Sequence, residues 1–408
     1  MSATHDPIRH LRYLRQSLSQ DAGAVGFFLS AGCPLSVPME EGNWPLIPDV
    51  ANLTRAINSE LQADPKYCIL LGELGKAAKN VENIEDTLSF LRGMLAVSKG
   101  GDVRGLTEDD LNSLQKRICS VIVSKLNVSL PGLDTPYHKL GNWIRSIDRK
   151  IAIEVFTTNY DLLMEQALDD LEIPYFDGFI GSRRAFFDLR AVEDSLIPLH
   201  WTRLWKIHGS INWYEDMEGS QKKVYRSSDV KTDASHLIYP SHLKYEESRK
   251  MPYLALIDQL NRFIRRKSSL LVLSGYSFND GHLNDAIVNA LKSNPTAMVL
   301  GLMFGSHVCG EKDPNAGKDR YPEAYRLAKN QHNLNIWSFD AAIIGTNYGK
   351  WKTSTTVREN SDSDLRQFIA EQNAEGDSMS WPTVRLGDFS VFSDFLKKII
   401  GSKDDQHE

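Results

Sequence analysis

The chain reads as a doubly wound α/β protein, a parallel sheet with helices on both faces, and three observations predict this. Short apolar runs rich in β-branched and aromatic residues recur near residues 25–29, 151–156, 204–207, 270–273, 297–304 and 334–339, as expected of strands buried on both faces. Stretches with helical spacing separate most of these runs, and alternating strands and helices build a parallel sheet. Several runs stop abruptly at small polar residues, where an open parallel sheet places its ligand crevice.

Composition sets the outer limits. With 408 residues, 41% hydrophobic and 25% charged, the chain can bury a large core as one large domain or two smaller ones. A net charge of -6 and a pI near 6.0 give no basic footprint, so a nucleic-acid role would have to come through a partner. No apolar run approaches the roughly 18 residues of a membrane span, and the N-terminus lacks a signal-peptide core. A cytoplasmic protein without membrane contact is expected. Cys33, Cys68, Cys119 and Cys309 are scattered without a C-x-x-C pair, which indicates neither a disulfide framework nor a structural zinc site.

In chain order, Ile8, Leu11, Leu14 and Leu18 mark an amphipathic helix leading into the strand Val25–Leu29. Ser30-Ala31-Gly32-Cys33-Pro34 follows. Small residues at a strand's end let backbone N–H groups approach a phosphate, and the N-terminus of a following helix would add its dipole. A plain tight turn has the same composition. Neither G-x-G-x-x-G nor G-x-x-x-x-G-K-[ST] occurs, which argues against a nucleoside triphosphatase. After the Pro-bracketed loop from Trp44 to Pro48, Asp49 offers a helix N-cap. From there to Ile147 the periodicity is helical, with a Thr-x-x-Asp capping box at Thr107 and an N-cap followed by proline at Thr135-Pro136. No strand is predicted in this stretch. It reads as a helical module inserted between the first strand and the next, serving as a lid, an interface or simple packing.

The run from Ile151 to Phe156 breaks at Thr157-Thr158-Asn159-Tyr160-Asp161, and a helix begins with Leu162, Leu163, Gln166 and Ala167. A hydroxyl, an amide and a carboxylate at a strand's carboxyl end are ligand chemistry, although Asp161 would equally cap the helix and Asn159 make a turn. Ile173 to Phe179 reads as a loop with exposed aromatics. The strand Leu204–Ile207 ends in His208-Gly209-Ser210, where a histidine is well placed as a general base, or is structural. Glu215 to Ser235 is polar, a mobile loop or hairpin, and Leu237-Ile238-Tyr239 before Pro240-Ser241 is a short strand. A helix from Pro252 to Ile264 precedes Leu270–Leu273, which runs into Ser274-Gly275-Tyr276-Ser277-Phe278-Asn279-Asp280 and a helix bearing Leu283, Ile287 and Leu291. That stretch is a second phosphate- or ribose-binding candidate. Ser354 to Ser380 reads as a linker or surface excursion. Val391, Phe392, Phe395, Leu396 and Ile399 give a terminal helix an apolar face for docking on the domain or on another subunit. The expected organisation is a Rossmann-like domain from residues 1–48 and 148–345, a helical module at 49–147, and a C-terminal extension at 346–408.

Taken in order, Ser30-Ala31-Gly32, Asn159 with Asp161, His208-Gly209 and Gly275-Tyr276-Ser277 resemble the glycine-rich loop, the Asn and Asp, the histidine-glycine pair and the second small-residue loop of the sirtuins. The resemblance spans roughly residues 20 to 340. Within the family, the Thr-Thr-Asn-Tyr-Asp and Gly-Tyr-Ser-Phe forms are similar to those of bacterial sirtuin-like proteins of antiphage defence, which hydrolyse NAD. Sirtuin deacylases carry two C-x-x-C pairs that bind zinc, which this chain lacks, and its first loop starts with Ser30 in place of glycine. The resemblance implies a sirtuin-like NAD-binding domain without a zinc ribbon. It implies NAD+ as substrate rather than cofactor, no metal, and release of nicotinamide and ADP-ribose. Asn159, Asp161 and His208 would be catalytic, and Ser30, Ala31, Gly32, Cys33, Thr158, Gly275, Tyr276 and Ser277 would hold the dinucleotide. A domain with a short extension is similar to the separate subunit that works with a HerA-type hexameric ATPase. The implied partners are that ATPase and further copies of the chain, with nucleic acid reached only through the complex, and the helical module and terminal helix as assembly surfaces.

Three alternatives stay open. Gly275-Tyr276-Ser277 resembles a nucleophile elbow, which would make the protein a serine hydrolase using Ser277 with His307 or His332, although Asn279 replaces the second glycine. A subunit that binds NAD or ADP-ribose without cleaving it, and a zinc-free deacylase, are the others.

Overall fold

The computed structural model describes residues 3–147, 149–218, 221–230, 236–238, 252–353, 363–373 and 380–400. Numbered in chain order, the main-sheet strands are β1 (Ala3–His5), β2 (Val25–Leu29), β3 (Glu154–Thr157), β4 (Tyr175–Phe176), β5 (Thr202–Lys206), β6 (Leu270–Ser274), β7 (Met298–Leu302), β8 (Leu334–Trp337), β9 (Ala341–Ile344) and β10 (Asn347–Trp351). Their spatial order is β1-β10-β9-β8-β7-β6-β2-β3-β5-β4. From β8 to β4 every pairing is parallel. The fold is the α/β, Rossmann-like sheet that the alternating pattern predicts.

The register sets the site. Ser274 pairs with Leu29, Leu29 with Thr157 and Thr157 with Lys206, so the carboxyl ends of β6, β2, β3 and β5 lie side by side. From β2 the chain builds toward β3 and β5, then returns on the other side through β6 and β7. That reversal makes the β2/β6 boundary the switch point at which such sheets open a crevice.

The strand pattern differs from expectation in several places. The pairing at the second apolar run begins at Glu154, not Ile151, because that carboxylate is buried with partners: Oε2 accepts a hydrogen bond from Trp205 Nε1 at 2.7 Å and Oε1 meets Arg266 at 2.6 Å. Beyond β8, the antiparallel hairpin β9–β10 turns at Gly345 and Thr346, both with positive φ. It carries the sheet past residue 345, and β1 then pairs parallel to β10. Tyr175 and Phe176 form the edge strand, and Phe176 and Phe179 are buried; Phe179 packs on Trp213 at 4.8 Å and Phe187 at 5.5 Å between ring centres. The expected loop with exposed aromatics is therefore a small hydrophobic seam. It leads into a second, antiparallel sheet built around the hairpin Gly209–Glu218 and Gln221–Arg226.

The helices Val50–Leu61, Pro65–Lys76, Ile84–Val97 and Glu108–Leu126 form the helical module. Asp49 caps the first through Asn52 N at 2.7 Å, and Thr107 with Asp110 closes the capping box of the last. Contrary to the all-helical expectation, Asp102–Val103 and Leu106–Thr107 pair as a tiny hairpin. Its turn uses Arg104 and Gly105 with positive φ. Leu53, Ile57, Leu88 and Ile122 join Val25, Phe27 and Val155 in one core, so the module packs on one face of the main sheet. The helix Pro136–Ser146 also starts as predicted, but the Thr135 hydroxyl pairs with His138 Nδ1 at 2.8 Å instead of a backbone amide.

The terminal helix Phe389–Ile400 lies on Pro136–Ser146. Phe389 meets Tyr137 at 5.2 Å and Phe392 meets Phe27 at 6.1 Å between ring centres, and Phe392, Phe395 and Leu396 are buried. Its own domain therefore covers the apolar face. Within the expected linker, Ser363–Arg366 is helical and Ile369–Asn373 pairs with Ser380–Val384. Residues 354–362 and 374–379, like Tyr239, Pro240 and Ser241 of the expected short strand, lie outside the described residues. No helix among the described residues is long and apolar enough to cross a membrane.

Candidate active site

The loop after β2 is locked to the loop after β6. Ser30 N donates to Ser274 O and Gly32 N to Gly275 O, both at 3.1 Å. The contact needs glycine on both sides: a Cβ on Gly32 would lie 2.7 Å from Gly275 Cα, and one on Gly275, at φ +68°, would lie 2.7 Å from Cys33 N. The segment that follows is a single three-residue 3-10 turn, Pro34–Ser36, so the helix dipole expected at this loop is not supplied there. Cys33, one of the residues expected at the ligand, turns its side chain inward. It is fully buried behind the loop, its thiol donates to Ser274 O at 3.3 Å, and burial pushes its pKa up to about 12. An un-ionised thiol in this position is packing, not a nucleophile.

The loop after β3 is folded by its own polar groups. Asn159 N donates to Thr157 Oγ1 at 3.0 Å, Asn159 Nδ2 donates to Ser30 O at 3.3 Å, and the hydroxyls of Thr158 and Ser30 lie 2.7 Å apart. Asp161 stands just before a helix and at a cavity wall. Its Oδ1 accepts from Leu163 N at 3.0 Å at the start of the helix Leu163–Asp170, while the residue also lines the cavity. Burial pushes the Asp161 carboxyl up to about 6, and the charge of Lys206 restrains the rise.

Lys206 is a residue that the sequence reading passed over. It ends β5 with 1% of its surface exposed, its ammonium donates to the backbone oxygen of Asp161, and it pairs with Glu165 Oε1 at 2.8 Å. The signal was available: a lysine inside Leu204-Trp205-Lys206-Ile207 must be paired once that strand is buried. Two residues on, His208 precedes Gly209 at φ +98°, and its Nε2 lies 3.4 Å from Asp280 Oδ2 with both side chains nearly buried. The other oxygen of Asp280 accepts from His282 N at 3.1 Å and Leu283 N at 3.3 Å, capping the helix Gly281–Ser293. In the sequence, Asp280 is marked only as the end of a strand-end stretch.

In the loop after β6, Tyr276 is structural as well as lining. Its hydroxyl donates to Asn284 Oδ1 at 2.8 Å and its ring packs on Phe28 at 5.1 Å. Around these loops lies a cavity of about 370 Å³ lined by Ser30, Ala31, Thr158, Asn159, Asp161, His208, Tyr276, Ser277 and Asp280. Leu53, Asn83, Glu85, Leu88 and Ile122 of the helical module form its other wall, so the module lids this cavity. The lining holds the carboxylates of Glu85, Asp161 and Asp280 and no lysine or arginine among the described residues. That suits a group carrying positive charge. A second cavity of about 340 Å³ shares Tyr276 and Ser277, takes in Gly32 and Gly275, and is walled by Trp44, Phe304, Tyr321 and Phe389.

A serine-hydrolase arrangement finds little support. The His307 ring stacks on Tyr325 at 3.7 Å and its Nε2 lies 3.8 Å from Asp319. His332 precedes β8 and so lies toward the amino-terminal edge of the parallel strands, opposite the loop that carries Ser277. Among the described residues, no group of three or more His, Cys, Asp or Glu side chains is arranged to hold a metal ion.

Residues 153–325 match the family model described as a SIR2-like domain. The matched span contains Asn159, Asp161, His208 and the Gly275–Asp280 loop, and it supports a Sir2-type family and NAD-dependent activity in general. No curated protein matches the chain.

Proposed function

We propose that the protein is an NAD+ glycohydrolase that breaks the nicotinamide–ribose bond and releases nicotinamide and ADP-ribose. The observation that carries this reading is the shared cavity. Asn159, Asp161 and His208 meet there beneath a lid, and the cavity adjoins a second, aromatic one across the Gly32–Gly275 contact. Two adjoining cavities divided by a close backbone contact suit the two halves of a dinucleotide. Its pyrophosphate would cross at the small-residue loops.

The chemistry asks little of the protein beyond positioning and charge. As the C1′–N bond breaks, its electron pair passes to the nicotinamide nitrogen, which becomes neutral, and positive charge develops on the ribose ring. Carboxylates fixed in the cavity wall stabilise that charge. Asp161, ionised above a pH of about 6, accepts a hydrogen bond from the nicotinamide amide or steadies the charge on the ring. Asn159, held by Ser30 O and Thr157 Oγ1, orients the ribose or the water. His208 polarises a ribose hydroxyl or takes the proton of the water that attacks C1′, and the Asp280 carboxylate stabilises the imidazolium so formed. Water supplies the oxygen and one proton is released.

The biological role rests on the resemblance alone. In that reading the protein depletes NAD as an antiphage effector, is held at low basal activity, and is controlled by assembly with further copies and a HerA-type ATPase. Uncontrolled NAD loss would harm the host, which favours such control.

Chromatographic measurement of nicotinamide and ADP-ribose from NAD+, with the protein alone and with the ATPase, tests the reading. Release that disappears in both Asn159→Ala and His208→Ala supports it. Release unchanged in both variants, or ADP-ribose binding with no release under either condition, would overturn it.

A further inference from the structure

The second cavity is completed by a part of the chain well outside the SIR2-like match. Gly387, Asp388 and Phe389, from the C-terminal extension, line it together with Tyr321 and the end of β7. This segment is fixed rigidly. A Cβ on Gly387 would lie 1.9 Å from Met303 O, so its backbone rests directly on the residue after β7. Phe389 N donates to Ser36 Oγ at 3.2 Å, and the helix that begins there is docked on Pro136–Ser146.

Asp388 is the one formally charged residue lining this cavity among the described residues. Its Oδ1 accepts from Ser390 N at 3.0 Å and Ser390 Oγ at 2.8 Å. No hydrogen bond or ion pair engages Oδ2 among the described residues, which leaves that oxygen to a ligand hydroxyl. A helix N-terminus would ordinarily favour an anion here, but three of its first four amides are already used. Phe389 N goes to Ser36, Ser390 N to the Asp388 carboxylate and Phe392 N to Asp388 O. Arg320, beside Tyr321, is turned to Ser306 O at 3.3 Å and Asp313 Oδ2 at 3.2 Å. The aromatic walls therefore take a flat ring, and the polar corner offers a carboxylate without a cation.

We propose that Asp388 selects the adenosine end of the ligand, accepting a hydrogen bond from the ribose diol of NAD+ or ADP-ribose and repelling the 2′-phosphate of NADP+. A carboxylate at the ribose is how dinucleotide folds generally favour the unphosphorylated cofactor, and an arginine is how they admit the phosphorylated one. Here the carboxylate comes from a C-terminal segment instead of a strand end of the dinucleotide domain. The inference rests on the reading of this site as a dinucleotide site and not on cleavage.

Calorimetric titration with ADP-ribose and with 2′-phospho-ADP-ribose tests it without any need for turnover. The wild type should bind ADP-ribose about 10- to 100-fold more tightly, the value of a hydrogen bond to a charged group. Asp388→Asn, which can keep the Ser390 contacts through Oδ1, and Asp388→Ser should both shrink that preference to within a factor of about three. Equal affinities in the wild type, an unchanged preference in both variants, or no binding of ADP-ribose would overturn the proposal. Should both variants misfold, the wild-type preference still decides. A clear preference without nicotinamide release sinks the hydrolase reading and leaves this one standing, and equal turnover of NAD+ and NADP+ does the reverse.

Discussion

Asp280 holds His208 and a helix at once: Oδ2 lies 3.4 Å from His208 Nε2, while Oδ1 caps Gly281–Ser293 through two backbone amides. A carboxylate anchored by its first oxygen presents the second in a fixed position, which suits it to orient an imidazole and stabilise its charged form. Asp280→Asn can keep the cap through Oδ1 but loses the negative charge. It should lower kcat for NAD+ hydrolysis about 100-fold or more while leaving ADP-ribose binding and the melting temperature nearly unchanged. A variant as active as wild type would show that the contact is only structural.

Asp161 gives a pH signature. Its carboxyl is raised by burial to about 6 from the ordinary value of 3.8, so the folded state holds this proton more tightly than the unfolded chain. The carboxylate therefore costs nothing below the unfolded value, costs more as pH rises through the interval, and costs most above about 6. The full cost is on the order of 3 kcal/mol. Asp161→Asn should accordingly unfold at higher denaturant than wild type at pH 7.5, with the gap narrowing toward pH 4.5, and should lose hydrolysis at both. Urea titrations giving the same gap at both pH values would contradict this account.

Lys206 and Glu165 form an ion pair beneath the loop that carries Asp161. Lys206→Met should destabilise the protein by about 3–5 kcal/mol, because it leaves the Glu165 charge buried without a partner. Adding Glu165→Met should recover most of that loss. Denaturation of the single and double variants forms a cycle, and an additive result would mean that the pair is not coupled.

The contact between Gly32 and Gly275 tolerates no side chain. Gly32→Ala, with its Cβ directed at Gly275 Cα, should force the two strand-end loops apart and weaken ADP-ribose binding at least tenfold. Gly23→Ala, whose Cβ would meet nothing closer than Gln20 Oε1 at 3.8 Å, is the matched control and should bind as wild type. Equal affinity in the two variants would remove the backbone contact from the account of binding.

Much of this site was legible locally. The apolar runs ending near Phe156, Ile207 and Leu273 marked strands, and the polar residues just beyond them marked the candidate side chains, because β-propensity and the break from apolar to polar are properties of adjacent residues. Capping at Asp49 and Thr107 was legible for the same reason. The direction of the Cys33 side chain was not legible, because a strand-end loop has a front and a back, and composition does not say which side a given residue faces. The hairpin β9–β10 was missed because two short strands joined at Gly345 and Thr346 leave little periodicity to detect.

By itself the sequence determined which chemical groups stand at strand ends, that the sheet is mostly parallel and doubly wound, and that an Asn, an Asp and a His are available. Only the tertiary structure decided which of them meet. Sheet order and register bring Lys206 beneath Asp161, His208 to Asp280, and Gly387–Phe389 to the end of β7. The reason is physical: periodicity and capping act over a few residues, whereas these contacts join segments far apart in the chain, whose proximity is set by burying their shared apolar core.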